Sequence, residues 1–308
     1  MTARHASPLE ALLIDDTFDG DGEPGELLSR HTTYRIGGPA RFYVCVRSLG
    51  ALTKVVRACE QAGERWVVLG RGSNVLVSDD GFDGVVVSLG RDFRRCRFDE
   101  ETSRFSIGAG ALLSTAVQDA FHRSLSGLEF AVGTPGTIGG AVRMNAGSRD
   151  RWLSEVLVSV TTLSADGTLA RRPVDEFAWG YRTSSIASDE VVVECELQGT
   201  AADPTRVRAR MEEALARRRA TQPLSEPSCG SVFKNPEGHS VGKIIDDAGL
   251  KGYQVGGARV SEVHANFIVN TGNATAQDVR TLMEIIQTKV FEKYGIELAP
   301  EVRLLGFE

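Results

Sequence analysis

The 308-residue chain has no long apolar run, no Cys-x-x-Cys pair and no surplus of positive charge. Each absence removes a class of protein. No segment approaches the roughly 20 apolar residues that span a bilayer, and Met1–Asp19 lacks the basic start and apolar stretch of a secretory leader. Membrane insertion is therefore not expected, and a cytoplasmic location is. A formal net charge of −6 and a pI near 5.5 give no counterion-release drive toward nucleic acid, so any phosphate has to be held locally. The five cysteines, Cys45, Cys59, Cys96, Cys195 and Cys229, are odd in number and scattered, which fits reduced thiols better than a disulfide framework or a zinc site. The histidines show no ligand spacing, and no H-E-x-x-H, EF-hand or G-x-S-x-G pattern occurs, so no metal is expected.

What is present is ordinary globular composition, 42% hydrophobic and 25% charged, over a length that allows two or three domains. Residues 1–30 are acidic and rich in turn formers and read as a loosely ordered lead-in. From there strand and helix alternate: Arg41–Val46 is β-prone, Leu52, Val55, Val56 and Cys59 recur at helical spacing, and Arg65–Gly70 is again strand-like. Val85–Leu89, Phe105–Ala109, Val156–Leu163 and Val191–Leu197 read as further strands, with a helix at Ser114–Arg123. A charged helix at Arg206–Ala220 resembles a boundary element. Beyond it, Lys243–Ala248 starts helically, Ala265–Asn270 reads as a strand, and Thr275–Tyr294 is an amphipathic helix with Val279, Leu282, Met283, Ile286 and Val290 on one stripe and Gly295 as its stop. Ile296–Leu305 reads as extended.

Two glycine clusters carry the first chemical signal. Gly70-Arg71-Gly72-Ser73-Asn74 follows a strand, but a dinucleotide fingerprint fails because its third glycine would fall at Val75 and no helix opens there. A turn whose backbone N–H groups point at a diphosphate is the alternative. Gly133-Thr134-Pro135-Gly136-Thr137-Ile138-Gly139-Gly140 is denser than a simple turn requires, and its hydroxyls and close backbone approach suit the phosphates of a bulky nucleotide cofactor. Asn145 extends that polar lining. Gly238 to Lys243 is one residue short of a phosphate-binding P-loop and has Ile244 where a hydroxyl should bind magnesium. Ser231, Arg182 and Glu301 are each unremarkable alone: a turn serine, a surface cation and a charge near the terminus.

Their motifs together change the reading. Cys229-Gly230-Ser231-Val232-Phe233-Lys234-Asn235-Pro236, Tyr181-Arg182-Thr183-Ser184, the two glycine clusters, His31-Thr32-Thr33-Tyr34-Arg35-Ile36-Gly37-Gly38-Pro39-Ala40 and Pro300-Glu301-Val302 resemble, in order, the signature set of the UDP-N-acetylenolpyruvoylglucosamine reductases. The resemblance covers nearly all of the chain. His31, where the family usually has Asn, and Arg143 depart from the pattern, neither at a catalytic position.

The resemblance implies an α+β chain: an FAD-binding fold of the vanillyl-alcohol-oxidase (PCMH) type over 31–203, in lobes of about 31–90 and 91–203, then a C-terminal α+β substrate domain over 206–295. Residues 296–308 would return to the FAD domain. The 49 residues from Arg182 to Ser231 look too short for the substrate-covering tyrosine loop of the first subtype, so the chain resembles the second. The implied reaction uses NADPH to reduce non-covalent FAD, and hydride then passes from flavin N5 to C3 of UDP-N-acetylglucosamine enolpyruvate. Ser231 would protonate C2. Arg182 and a protonated Glu301, its pKa raised by burial, would stabilise the enolate at the substrate carboxylate. Tyr181, Lys234 and Asn235 match substrate contacts, and Gly70–Asn74, Gly133–Thr137, Gly139, Gly140 and Asn145 match cofactor contacts. Two rivals stand beside this reading. One is another flavin oxidase or dehydrogenase of the same fold, the other a nucleotide-sugar binder without catalysis.

Overall fold

Ser48 opens the first long helix, Leu49–Ala62, by accepting the Ala51 N–H, and Gly63 closes it in left-handed backbone at φ 64. Between those caps the stripe Leu52, Val55, Val56 and Cys59 is fully buried, as the spacing requires. The computed structural model describes residues 7–148 and 151–307, and these fall into two compact units. The first comprises the chain up to Pro24, Arg41–Gly70 and Gly84–Leu215. The second comprises Gly25–Ala40, Arg71–Asp83 and Ala216 to the C-terminus. These limits differ from those expected from sequence: residues 25–40 and 71–83 group with the C-terminal part.

The two larger sheets lie in the first unit. One has four strands in the order Gly20–Pro24, Ala40–Val46, Phe82–Leu89, Trp66–Val68, the last two parallel with Trp66 opposite Val85. The other is fully antiparallel, in the order Leu169–Pro173, Leu157–Leu163, Val191–Gln198, Arg104–Gly108, Cys96–Asp99. Its inward residues, among them Phe105, Ile107, Val160, Leu163, Cys195 and Leu197, share one core with the Leu49–Ala62 and Leu113–His122 helices. The loose lead-in is corrected. The described part of it carries a capped helix, Pro8–Leu13, and the edge strand Gly20–Pro24, whose Gly20 pairs with Val46. Polar sequence concealed this because an edge strand needs only backbone pairing, while Leu9 and Phe18, with the half-buried Leu12 and Leu13, anchor the segment in the core. Residues 1–6 of the expected lead-in lie outside the described residues.

The second unit packs Ala276–Tyr294 against a three-stranded sheet, Gln254–Val255, Ala258–Val260 and Ile268–Asn270. Thr275 and Asp278 form a capping box at the helix start, and Asp79 adds a second cap, accepting the N–H groups of Ala276 at 2.7 Å and Gln277 at 3.0 Å. All five residues of the expected stripe are buried, each worth about 1.5–3 kcal/mol of transfer free energy. The C-terminal strand Arg303–Leu305 runs parallel to Val75–Val77. Among the described residues no helix is long and apolar enough to cross a membrane.

Candidate active site

In the second unit, Ser231 and Glu301 are brought together by backbone. The Glu301 N–H donates to the Val232 carbonyl at 2.8 Å, the Lys234 N–H donates to the Ala299 carbonyl at 2.9 Å, and Phe233 bridges Pro300. Ser231 is half-buried beside Gly230, which takes left-handed backbone at φ 81, and Glu301 is 8% exposed. Asn266, which sequence reasoning missed, holds the same turn: its backbone carbonyl accepts the Val232 N–H, its Oδ1 accepts the Phe233 N–H at 3.0 Å, and its Nδ2 donates to the Phe233 carbonyl at 2.8 Å. The available signal was an amide inside the apolar run Ala265–Val269, where a buried polar side chain has to find partners. Cys229, two residues before Ser231, is no nucleophile. Burial pushes its thiol up to about 12, and the Glu301 carboxylate adds to the rise.

Two other expected ligands have structural work. Asn74 Nδ2 donates to the Glu301 carbonyl at 3.2 Å, tying the C-terminal segment down, and Asn235 Oδ1 accepts the Val241 N–H at 3.0 Å at the start of the Val241–Asp247 helix. Lys234 is half-buried and Asn235 exposed. His31, one of the family departures, pairs with Glu26 at 2.9 Å.

The 70–74 cluster is divided between the units: Gly70 belongs to the first, Arg71–Asn74 to the second. Gly70 and Gly72 need to be glycine because protein lies where a Cβ would be. At Gly70 it would sit 2.4 Å from Thr137 Oγ1, so the two glycine clusters meet there within the first unit. At Gly72, in left-handed backbone at φ 56, it would sit 2.4 Å from the His31 carbonyl oxygen and 2.7 Å from Thr32 Cα. Gly72→Ala is therefore expected to destabilise the protein with or without cofactor, by about 1–3 kcal/mol from backbone strain alone. Denaturant unfolding of the cofactor-free chain checks this; unchanged stability there would return Gly72 to a ligand-only role.

In the first unit, residues 133–137 lead into the short helix Ile138–Arg143, whose N-cap Thr137 accepts the Gly140 N–H at 3.4 Å. Gly133, Pro135 and Gly140 are exposed, and Gly133 and Gly136 take φ of 71 and 136. A Cβ at Gly140 would meet only Thr137 Oγ1, at 3.6 Å, so backbone here is open to a ligand. Open backbone, two threonine hydroxyls and no carboxylate fit the phosphates and polyol of FAD. No Cys or His lies in either cluster to tether it.

Arg182 occupies the two-residue turn Tyr181-Arg182 between the paired strands Trp179–Gly180 and Thr183–Ser184. Its backbone is left-handed at φ 56, and its guanidinium carbon lies 5.7 Å from the Tyr181 ring centroid and 5.9 Å from that of Trp152. Asn145, expected in the cofactor lining, has its side chain 3% exposed and bonded to Gly180 and Ser154. Arg143, the other departure, donates to the carbonyls of Ile186, Ala187 and Glu190 and so clamps the following loop. No cluster of metal-ligating groups occurs among the described residues.

The sheet pair and the glycine loops define a flavoprotein with an α+β FAD-binding fold of the vanillyl-alcohol-oxidase type, and residues 40–172 match the model of the FAD binding domain family. Residues 222–305 match the model described as UDP-N-acetylenolpyruvoylglucosamine reductase, C-terminal domain. Curated relatives of that name include one from Trichormus variabilis, 43% identical over 91% of this chain and 85% of its own length, and one from Heliobacterium modesticaldum, 42% identical over 95% and 93%. The crystal structure of the reductase from Thermus caldophilus superposes with a TM-score of 0.81 at 35% identity, covering 93% of this chain and 99% of that one. The chain belongs to the UDP-N-acetylenolpyruvoylglucosamine reductase family. It is an oxidoreductase that uses FAD and NADPH to reduce UDP-N-acetylglucosamine enolpyruvate to UDP-N-acetylmuramate, in peptidoglycan precursor synthesis. The same-fold oxidase and the non-catalytic binder are thereby set aside.

Proposed function

We propose that Ser231, Glu301 and Arg182 are the groups that make the enolpyruvyl ether reducible. An enol ether takes up hydride only if its carboxylate carries the incoming charge as an enolate, so donors aimed at that carboxylate lower the barrier. Arg182 supplies fixed positive charge. Glu301, 8% exposed, supplies a hydrogen bond from its acid form. Ser231 then protonates C2, a task an alcohol can perform for so basic a carbanion when held in contact. FAD, when bound, supplies the hydride it has received from NADPH. Gly70 and the 133–140 loop hold that cofactor without a covalent link, with Arg71, Gly72 and Ser73 as further contacts. Lys234 and Tyr181 contact the substrate, Lys234 as a point charge suited to phosphate or carboxylate.

The observation that carries this reading is the backbone clamp of Glu301 on Val232, which sets the carboxyl-bearing segment beside the serine turn. The 49-residue interval between Arg182 and Ser231 supports the second subtype, and we assign the protein to the cytoplasm, where its nucleotide substrates reside. An FAD domain over 31–203 and a substrate domain over 206–295 remain our functional division. The test is an anaerobic titration: NADPH should bleach a yellow protein, and UDP-N-acetylglucosamine enolpyruvate should restore its colour. Acid should release intact FAD. A flavin that stays bleached with this substrate, or stays attached to denatured chain, would overturn the assignment.

A further inference from the structure

Asn145 is 3% exposed, takes left-handed backbone at φ 40, and uses both ends of its amide. Nδ2 donates to the Gly180 carbonyl at 3.2 Å, and Oδ1 accepts the Ser154 N–H at 3.0 Å. Gly180 immediately precedes the Tyr181-Arg182 turn. Ser154 lies two residues beyond Trp152, whose ring meets Tyr181 edge-on at 5.6 Å and borders the Arg182 guanidinium. One buried amide therefore joins the strand that presents Arg182 to the segment that carries its aromatic neighbour. Ser184 Oγ, on the other strand, donates to the Arg143 carbonyl at 2.8 Å, so the hairpin is fastened to residues 143–145 from both sides.

Arg182 needs such fastening. It is a non-glycine residue in left-handed backbone, a conformation that persists only where surroundings over-determine it. We infer that Asn145 is a positioning residue: it holds the Tyr181-Arg182 turn so that the guanidinium is preset for the substrate carboxylate. The inference rests on the role proposed for Arg182. A mere preference for left-handed backbone at 145 would be met by glycine, which supplies neither bond.

The test uses the full-length holoenzyme. Asn145→Asp keeps the acceptor for Ser154 but sets an oxygen against the Gly180 carbonyl, and Asn145→Gly keeps the backbone while deleting both bonds. Hydrogen exchange in residues 179–184 should quicken by about tenfold or more in both variants. Flavin content and reduction by NADPH should hold, while reoxidation by UDP-N-acetylglucosamine enolpyruvate slows by about 10- to 100-fold. Combined with Arg182→Ala, either change should add almost nothing, since both act through one group. Unchanged exchange, additive losses, or lost flavin with 179–184 still protected would each overturn the inference. Quickened exchange with an Arg182→Ala enzyme that reoxidises normally would keep Asn145 as the anchor and remove Arg182 from the chemistry.

Discussion

Ser231→Ala is expected to leave flavin reduction by NADPH intact and to slow reoxidation by UDP-N-acetylglucosamine enolpyruvate by about 10²- to 10⁴-fold, the usual worth of a positioned general acid. The hydroxyl is needed only when C2 takes its proton, so the two half-reactions separate. The substitution should also be structurally mild. Val232 and Phe233 are fixed by Asn266 and by Glu301 through backbone groups and the Asn266 amide, none of which involves the Ser231 side chain. Stopped-flow traces should show the loss only in the second step, with an altered solvent isotope effect there. Equal slowing of both steps would mark Ser231 as a structural residue and end its assignment as proton donor.

How far the site was readable depended on what kind of interaction each residue makes. Ser231, Arg182 and Glu301 could be singled out because their motifs are contiguous. The turn that carries Arg182, the Gly230 kink and the Pro300-Glu301-Val302 segment are local features, and local features are written in short stretches of sequence. Asn74, Asn145 and Asn235 were also conspicuous, yet their amides bond Glu301, Gly180 and Val241, at separations of 227, 35 and 6 residues. A polar residue in a glycine-rich stretch looks the same whether it faces a ligand or a distant carbonyl. A structural demand on the glycines is hidden for the same reason. Gly72 excludes a side chain because His31 and Thr32 pass behind it, and nothing near residue 72 announces a segment some forty residues earlier.

The fold shows the same division. The Ala276–Tyr294 helix was located to within a residue, since 3.6-residue periodicity and a glycine stop are both legible, and the stripe Leu52, Val55, Val56 and Cys59 marked the Leu49–Ala62 helix without fixing its ends. The Gly20–Pro24 strand and the Ile138–Arg143 helix were not located. One is made by pairing with Ala40–Val46 and the other contains two glycines, so each forms through tertiary context against its own propensity. The grouping of 71–83 with the C-terminal part follows likewise from Val75–Val77 pairing with Arg303–Leu305, at a separation no window of sequence can reveal.

Glu301→Ala is expected to spare NADPH oxidation and to cut reoxidation by the enolpyruvyl substrate by about 10²- to 10³-fold, the loss associated with one preorganised donor at a developing charge. The variant is informative because the Glu301 N–H is held by Val232 and its carbonyl by Asn74, so alanine removes the acid while both of these backbone bonds can persist. Glu301→Gln then separates two roles. Its amide still donates a hydrogen bond but has no acidic proton, so it should recover most of the loss if Glu301 acts by stabilising the enolate, and little of it if proton transfer from Glu301 is required. Because Ser231 is assigned the proton, the glutamine enzyme is expected to lie well above the alanine enzyme in single-turnover reoxidation. Were Glu301→Ala to reoxidise at the wild-type rate, the C-terminal segment would hold the Ser231 turn in shape without meeting the substrate, and the enolate would have to be stabilised by Arg182 and Lys234 alone.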